Sequence, residues 1–145
     1  MTQPLRLGIA GLGTVGMGVV KIIQQKAEIL ATRSGQEIVI TAVSARSRDK
    51  DRGFDLSAYA WEDDPVRLAS RDDVDVFIEL IGGSEGPALD ATQAAIAAGK
   101  DVITANKAML AVHGQVRHWR KPQRTDKNLS VSKQPLQAEF QLLKP

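Results

Sequence analysis

Residues 5–23 read LRLGIAGLGTVGMGVVKII, in which a short apolar run leads through a glycine-rich turn into a helical pattern. Gly11, Gly13 and Gly16 fall on the G-x-G-x-x-G spacing that holds a dinucleotide pyrophosphate. The first glycine permits the tight turn, the second lets the backbone approach the phosphates, and the third lets the helix pack closely on the strand. The spacing predicts a dinucleotide site at this turn, although glycine-rich turns also occur for purely structural reasons.

The rest of the chain alternates strand patterns with helix patterns. A first helix begins near Thr14 and precedes a candidate C-cap at Gly35, and shorter helices are expected after Asp64 and from Ser84 to Gly99. Residues 46–64 read as a polar loop. Further strands are expected at 37–45, 74–83 and 101–106. This order predicts an α/β fold with a Rossmann-type doubly wound parallel sheet, whose ligand lies at the carboxyl ends of the strands.

Composition narrows the classes of function. The 145 residues suffice for one domain with a core, and without cysteine the chain has neither disulfides nor thiolate chemistry. Two histidines, His113 and His118, are too few for an ordinary zinc site, so no metal is expected. We find no signal-peptide pattern and no apolar run near the roughly 20 residues that span a bilayer. We therefore expect a cytoplasmic protein without a membrane partner.

The basic charge of the chain is confined to its end. The formal net charge is +2, but residues 1–113 carry more carboxylates than lysines and arginines, and the excess of basic residues lies beyond them. These charges are scattered rather than clustered with aromatic residues, so a nucleic-acid partner is not expected.

Arg46 bears on the choice between two cofactors. NAD-preferring domains place an Asp or Glu at the end of the second strand, where it accepts hydrogen bonds from the ribose 2′-hydroxyl. This chain has Arg46 there, and its guanidinium can pair with the 2′-phosphate of NADP, with Arg48, Lys50 and Arg52 nearby. We therefore expect NADP in preference to NAD, the alternative being a solvated loop of mixed charge.

Four segments together resemble the amino-terminal NAD(P)-binding domain of homoserine dehydrogenase. They are GIAGLGTVGMGVV (8–20), AVSARSRDKDRG (42–53), VDVFIELIGGSEGPA (74–88) and AAGKDVITANKAMLAVHG (97–114). The resemblance implies reversible hydride transfer between NAD(P)H and aspartate 4-semialdehyde, giving homoserine in the biosynthesis of aspartate-derived amino acids. Other dehydrogenases, such as aspartate-semialdehyde or sugar oxidoreductases, share the first segment but lack the ELIGG and TANKA motifs.

The resemblance also implies a set of cofactor-binding residues. Lys107 would in addition contact the substrate, where its ammonium could hold a carboxylate or a developing alkoxide. Without the resemblance, a solvated lysine at a helix start is an equal interpretation of Lys107. The implied cofactor-binding residues are Gly11, Gly13, Thr14, Val15, Gly16, Arg46, Ile81, Gly82, Asn106 and Lys107.

The resemblance stops near residue 114, where the family continues with a helix and a strand close to FEAAVAGGIP. Residues 133–141 read KQPLQAEFQ instead, yet codons for them can be chosen that spell AAVAGGIP in the neighbouring frame. We therefore expect a cofactor domain over 1–114 and an irregular, disordered and non-homologous tail over 115–145, produced by a frameshift. On this hypothesis the sheet is incomplete and the substrate domain is absent. The nucleotide sequence of these codons tests it.

Two interpretations of the whole chain follow. In the first it is a homoserine dehydrogenase fragment that binds NAD(P) but is inactive alone, and the family's homo-oligomer is not expected of it. In the second it is a standalone NAD(P)-binding regulatory module whose basic tail recruits a partner. A folded tail with tight cofactor binding would favour the second interpretation.

Overall fold

The computed structural model describes residues 3–113 and 140–142. Six strands and five helices lie in these residues. In chain order they are β1 (Leu5–Ala10), α1 (Thr14–Gln25), α2 (Ala27–Ser34), β2 (Ile38–Ser44), β3 (Ala60–Glu62), α3 (Pro65–Ala69), β4 (Val76–Glu79), α4 (Pro87–Ala97), β5 (Asp101–Thr104), α5 (Lys107–His113) and β6 (Phe140–Leu142).

The strands form a single sheet in the order β3-β2-β1-β4-β5-β6. All neighbouring strands run parallel, so their carboxyl ends lie along one edge. Strands β2 and β3 lie on one side of β1, and β4, β5 and β6 lie on the other side. The gap between the loops that leave β1 and β4 is where ligands bind in open sheets of this kind. The predicted α/β class with a doubly wound parallel sheet is confirmed.

The two faces of the sheet carry separate hydrophobic clusters. Along β4, Val76 and Ile78 belong to the cluster beneath α1, whereas Phe77 belongs to the cluster beneath α3 and α4. Successive side chains of a strand point to opposite faces, and here both faces are covered by helices. This explains why β4 is apolar at all three of these positions instead of alternating with polar residues.

Two details differ from the sequence interpretation. The polar stretch 46–64 contains β3, whose three residues pair with the end of β2, and such a short edge strand leaves almost no periodic signal. The first helical pattern is interrupted at Lys26, although i to i−4 hydrogen bonds still join Lys26 to Ile22 and Leu30 to Lys26. The interruption is therefore a local distortion between α1 and α2, and the chain then ends α2 at Gly35 with φ +76°, as expected.

Within the predicted tail the structure describes only Phe140–Leu142. These residues form β6, which pairs in parallel with β5 from Val102 to Thr104. A strand at this position was not predicted, because the sequence around it lacks a periodic apolar pattern longer than a few residues. The expectation of an irregular tail otherwise concerns residues outside the described ones.

The polar contacts at the amino ends of the strands include an ion pair and a partly buried lysine that donates to backbone carbonyls. Arg6 holds the carboxylate of Asp75 through two side-chain hydrogen bonds of 3.0 and 2.8 Å, and this pairing lowers the pKa of Asp75. Lys100 donates to the carbonyl of Val74 at 2.6 Å, and burial lowers its pKa. The titratable groups with these perturbed pKa values therefore lie at the opposite end of the sheet from the glycine turn.

Candidate dinucleotide site

Two of the three motif glycines are required by packing within the fold. Gly11 has φ +98°, and a Cβ there would lie 2.5 Å from the carbonyl of Leu80. A Cβ on Gly16 would lie only 1.8 Å from the carbonyl oxygen of Gly11. These distances are far below van der Waals contact, so neither position accepts a side chain without backbone movement. The close approach of the backbone after β4 and a positive φ account for Gly11, and the close approach of α1 to the end of β1 accounts for Gly16.

Gly13 is different, because nothing in the fold requires a glycine there. Its φ is −76°, which any L-residue can adopt, and a Cβ would find nothing within 4 Å. The residue is exposed and occupies the N-cap of α1, where its side-chain position faces open space. The missing side chain leaves the start of the helix accessible to a ligand.

The first turn of α1 presents unpaired donors to that space. Among the described residues, the backbone N–H groups of Thr14, Val15 and Gly16 have no acceptor, and the first intrahelical bond is donated by Met17 to Gly13. The turn contains no acidic side chain. Free N–H groups and the positive end of the helix dipole favour an anion such as a pyrophosphate.

A cleft adjoins this turn and extends over the ends of β4 and β5. Its volume is about 90 Å³, and it is partly open to solvent. Its position matches the expected ligand site at the carboxyl edge of the sheet. The lining residues are Val15, Glu79, Leu80, Gly82, Ala105 and Asn106.

Glu79, the last residue of β4, forms the floor of the cleft. Its side chain is fully buried. One carboxylate oxygen accepts hydrogen bonds from the backbone N–H groups of Ile81 at 2.7 Å and Gly82 at 3.1 Å. The other accepts from the hydroxyl of Thr104 at 2.6 Å. All three partners donate, which suits an acceptor-only carboxylate.

Asn106 continues this network into the next loop. Its backbone N–H donates to the hydroxyl of Thr104 at 2.9 Å, and its side-chain oxygen accepts from the N–H of Met109 at 3.0 Å, capping α5. Its side-chain amide donates to the carbonyl of Gly83. Two side-chain hydrogen bonds thus join the end of β4 and its following segment to the end of β5 and its following segment. One runs from Thr104 to Glu79 and the other from Asn106 to Gly83.

Arg46 lies two residues beyond the end of β2 and is exposed. Among the described residues it has no hydrogen-bond or ion-pair partner, so its guanidinium is free for a ligand. Since β1 lies between β2 and β4, Arg46 is across the glycine turn from the cleft. The structure therefore does not bring Arg46 together with Ile81, Gly82 and Asn106.

Arg52 does not extend the basic group around Arg46, contrary to the expectation. Its two terminal nitrogens donate to the carbonyls of Lys50 at 3.1 Å and Ser47 at 2.7 Å. Its guanidinium lies over the ring of Trp61, 5.6 Å from the centroid. Arg52 therefore braces the loop internally, because both terminal nitrogens of its guanidinium donate to backbone carbonyls of the same loop.

Lys107 is the first residue of α5, next to Asn106 at the rim of the cleft. Its side chain is exposed and has no partner in the described part of the chain. His113, at the other end of the same helix, pairs with Glu85 at 2.7 Å. Lys107 is thus the cationic group of α5 that remains available beside the cleft.

The sequence interpretation missed Glu79 and Thr104. Glu79 was assigned only to the strand expected at 74–83, and Thr104 only to the strand expected at 101–106. A weak signal was present, because a glutamate directly after the apolar run VFI must be buried with partners or lie at the strand terminus. Its partner Thr104 is 25 residues away, which the sequence pattern does not reveal.

No helix in the described ranges is long and apolar enough to cross a membrane. The same ranges contain no group of three or more His, Asp or Glu side chains arranged to hold a metal ion.

A parallel sheet of this order, with a glycine turn and an open helix N-terminus at the end of β1, defines a Rossmann-type dinucleotide-binding domain. The family model described as the NAD-binding domain of homoserine dehydrogenase matches residues 11–125. The chain belongs to this family, as its motifs predicted, and the ligand class of the domain is a nicotinamide dinucleotide.

Known relatives agree with this assignment. Homoserine dehydrogenase of Neisseria gonorrhoeae is 44% identical over 112 residues, which are 77% of this chain and 25% of the relative. The crystal structure of the Staphylococcus aureus enzyme at pH 7.0 superposes with a TM-score of 0.70 at 36% identity, covering 78% of this chain and 29% of that one. The structure from Thiobacillus denitrificans gives the same TM-score and identity, covering 77% and 26%. The chain thus spans about a quarter of the length of these relatives.

Proposed function

We propose that the glycine turn binds the pyrophosphate of NADP, with Gly11, Gly13, Thr14, Val15 and Gly16 around it. The observation that carries this proposal is the open space at Gly13. Packing explains Gly11 and Gly16, whereas Gly13 has an ordinary φ and no neighbour within 4 Å of its missing Cβ. An anion lying against the unpaired N–H groups of α1 would use that space.

The two halves of the cofactor then lie on opposite sides of the turn. In this fold the adenosine ribose meets the end of β2, so the nicotinamide half extends over β4 and β5. There Ile81, Gly82 and Asn106 would contact the nicotinamide riboside, with Lys107 at the rim. This assignment is supported by the cleft, which joins Val15 of the turn to Gly82 and Asn106.

Gly13→Ala tests the pyrophosphate site. The fold should survive, because loss of a glycine N-cap costs about 1 kcal/mol or less. The affinity for NADPH, measured by calorimetry, should fall by about tenfold or more, or about 1.4 kcal/mol, because the methyl group occupies the space of the phosphates. Gly18→Ala is the matched control, since it also faces empty space but lies within α1, and should bind normally. Equal affinity of all three proteins would contradict the proposal, as would absence of binding by the unaltered chain.

Arg46→Ala tests the preference for NADP. Hydrogen bonds to a charged group contribute about 1.5–3 kcal/mol, so NADPH binding should weaken by roughly tenfold or more while NADH binding stays unchanged. Arg33→Ala, which removes an exposed arginine from the last turn of α2, serves as the control and should leave the affinity for both cofactors unchanged. A uniform loss for both cofactors would show that Arg46 supports the loop instead of reading the 2′-phosphate.

The activity that we propose for the whole protein is interconversion of aspartate 4-semialdehyde and homoserine by hydride transfer with NADP(H), in the cytoplasm. It is supported by family membership and by relatives that bear the name homoserine dehydrogenase. These relatives are about four times as long as the matched segment, so we propose that residues beyond that segment bind the substrate. On this proposal residues 1–114 form the cofactor domain and the 145 residues alone do not catalyse the reaction.

A further inference from the structure

We infer that Glu79 is a positioning residue for the nicotinamide half of the cofactor. Its carboxylate fixes the backbone of Ile81 and Gly82 and, through Thr104, joins that segment to the loop after β5. This inference rests on the proposed function, because it assigns a role within the same cofactor site.

Residues 81–83 need an external constraint to hold one conformation. Gly82 and Gly83 have φ of +91° and +84°, and no strand pairing continues beyond the bond from Leu80 to Ala10. Glycines of this kind lose much conformational freedom when ordered. The hydrogen bonds from the N–H groups of Ile81 and Gly82 to Glu79 hold this segment in one conformation before a ligand binds.

The sheet itself does not require a carboxylate at this position. The backbone of β4 is already paired with β1 on one side and β5 on the other, from Val76 to Glu79. An apolar side chain would fill the same space without removing a polar group from water, which is costly unless hydrogen bonds compensate. What the carboxylate adds is three directed contacts, all to the two segments at the cleft.

These two segments flank the nicotinamide side of the site. Gly82 and Asn106 both line the cleft, and Glu79 and Thr104 lie directly beneath them. The adenosine side, beyond β2, receives no contact from this network. Loosening the network should therefore weaken interactions with the nicotinamide riboside and leave interactions with the adenosine half unchanged.

The experiment compares two ligands on the 145-residue chain. NADPH contains the nicotinamide ring and 2′-phospho-ADP-ribose lacks it, so the ratio of their affinities reports the contribution of the ring. NADH and ADP-ribose replace them if the chain prefers NAD. Glu79→Gln keeps the size of the side chain but places an amide donor beside either the Thr104 hydroxyl or the N–H groups. We expect NADPH affinity to fall about tenfold and 2′-phospho-ADP-ribose affinity to change by less than about twofold.

Two variants at Thr104 test the same inference if Glu79→Gln fails to fold. Thr104→Val removes the hydroxyl and should lower the ratio, whereas Thr104→Ser keeps it and should behave as the unaltered chain does. Asp75→Asn is the matched control, because this carboxylate is also held by donors but lies at the amino end of the sheet. It should lower the melting temperature without changing the ratio.

An equal loss for both ligands would overturn the inference, since Glu79 would then only maintain the fold. An unchanged ratio in Glu79→Gln and Thr104→Val would overturn it too, as would a ratio of one in the unaltered chain. If the unaltered chain binds neither ligand, the proposed function itself fails, and that result is distinct from the others.

Discussion

At the scale of single residues, the glycine motif combines two physical requirements. At Gly11 and Gly16 neighbouring backbone lies too close for a side chain, from Leu80 in the first case and from Gly11 itself in the second, and this holds with or without a ligand. Gly13 has room for a side chain and an ordinary backbone conformation. Stability and binding are thus encoded at different positions of one motif, and substitutions can separate them.

Gly16→Ala should destabilise the chain strongly. A Cβ 1.8 Å from the Gly11 carbonyl oxygen forces α1 away from β1, and overpacking costs about 1–3 kcal/mol, with so close a backbone contact at the upper end of that range. Gly18→Ala in the same helix should instead stabilise by about 0.5–1 kcal/mol, because it reduces backbone freedom without a clash. Urea unfolding followed by circular dichroism measures both. Similar free energies of unfolding for the two variants would show that the turn relaxes more easily than the contact implies.

At the scale of elements, the sequence predicted most of what local pattern determines. Asp64 caps α3 through a 2.9 Å bond to Val66, and Pro65 begins that helix, as its sequence indicated. The strands β1, β2, β4 and β5 lie within the predicted stretches. The short edge strand β3 escaped prediction because its order depends on pairing with β2 and not on its own three residues.

The candidate site likewise contains one part that the local sequence predicts and one part that depends on the fold. The glycine turn is a local feature, so its spacing could be read directly. The network of Glu79, Thr104 and Asn106 depends on two loops meeting across the sheet edge, which only the fold determines. Likewise, Arg52 reads as one more basic residue, and only its contacts with Ser47, Lys50 and Trp61 show that its guanidinium is engaged.

At the scale of the whole molecule, the cleft is small for a complete site. It encloses about 90 Å³, whereas sites that enclose a drug-sized ligand occupy roughly 300–1,000 Å³. A dinucleotide lying along the sheet edge would keep much of its surface exposed. This agrees with the proposal that further parts of the relatives cover the cofactor and bind the substrate.

The 145-residue chain should therefore bind NADPH without oxidising it in the presence of aspartate 4-semialdehyde. Loss of NADPH absorbance measures this, with the full-length enzyme of Neisseria gonorrhoeae as a positive control. Turnover above the rate without protein would contradict the proposal that this chain alone is inactive.

The strand β6 has a consequence for the order of folding. Val102 of β5 pairs with Phe140, so the outer edge of the sheet is completed by residues far along the chain. During synthesis β5 emerges well before its partner, and an unpaired strand edge is a template for association with other chains. The interval between the emergence of β5 and the emergence of β6 from the ribosome is thus a period in which the nascent chain carries an unpaired strand edge.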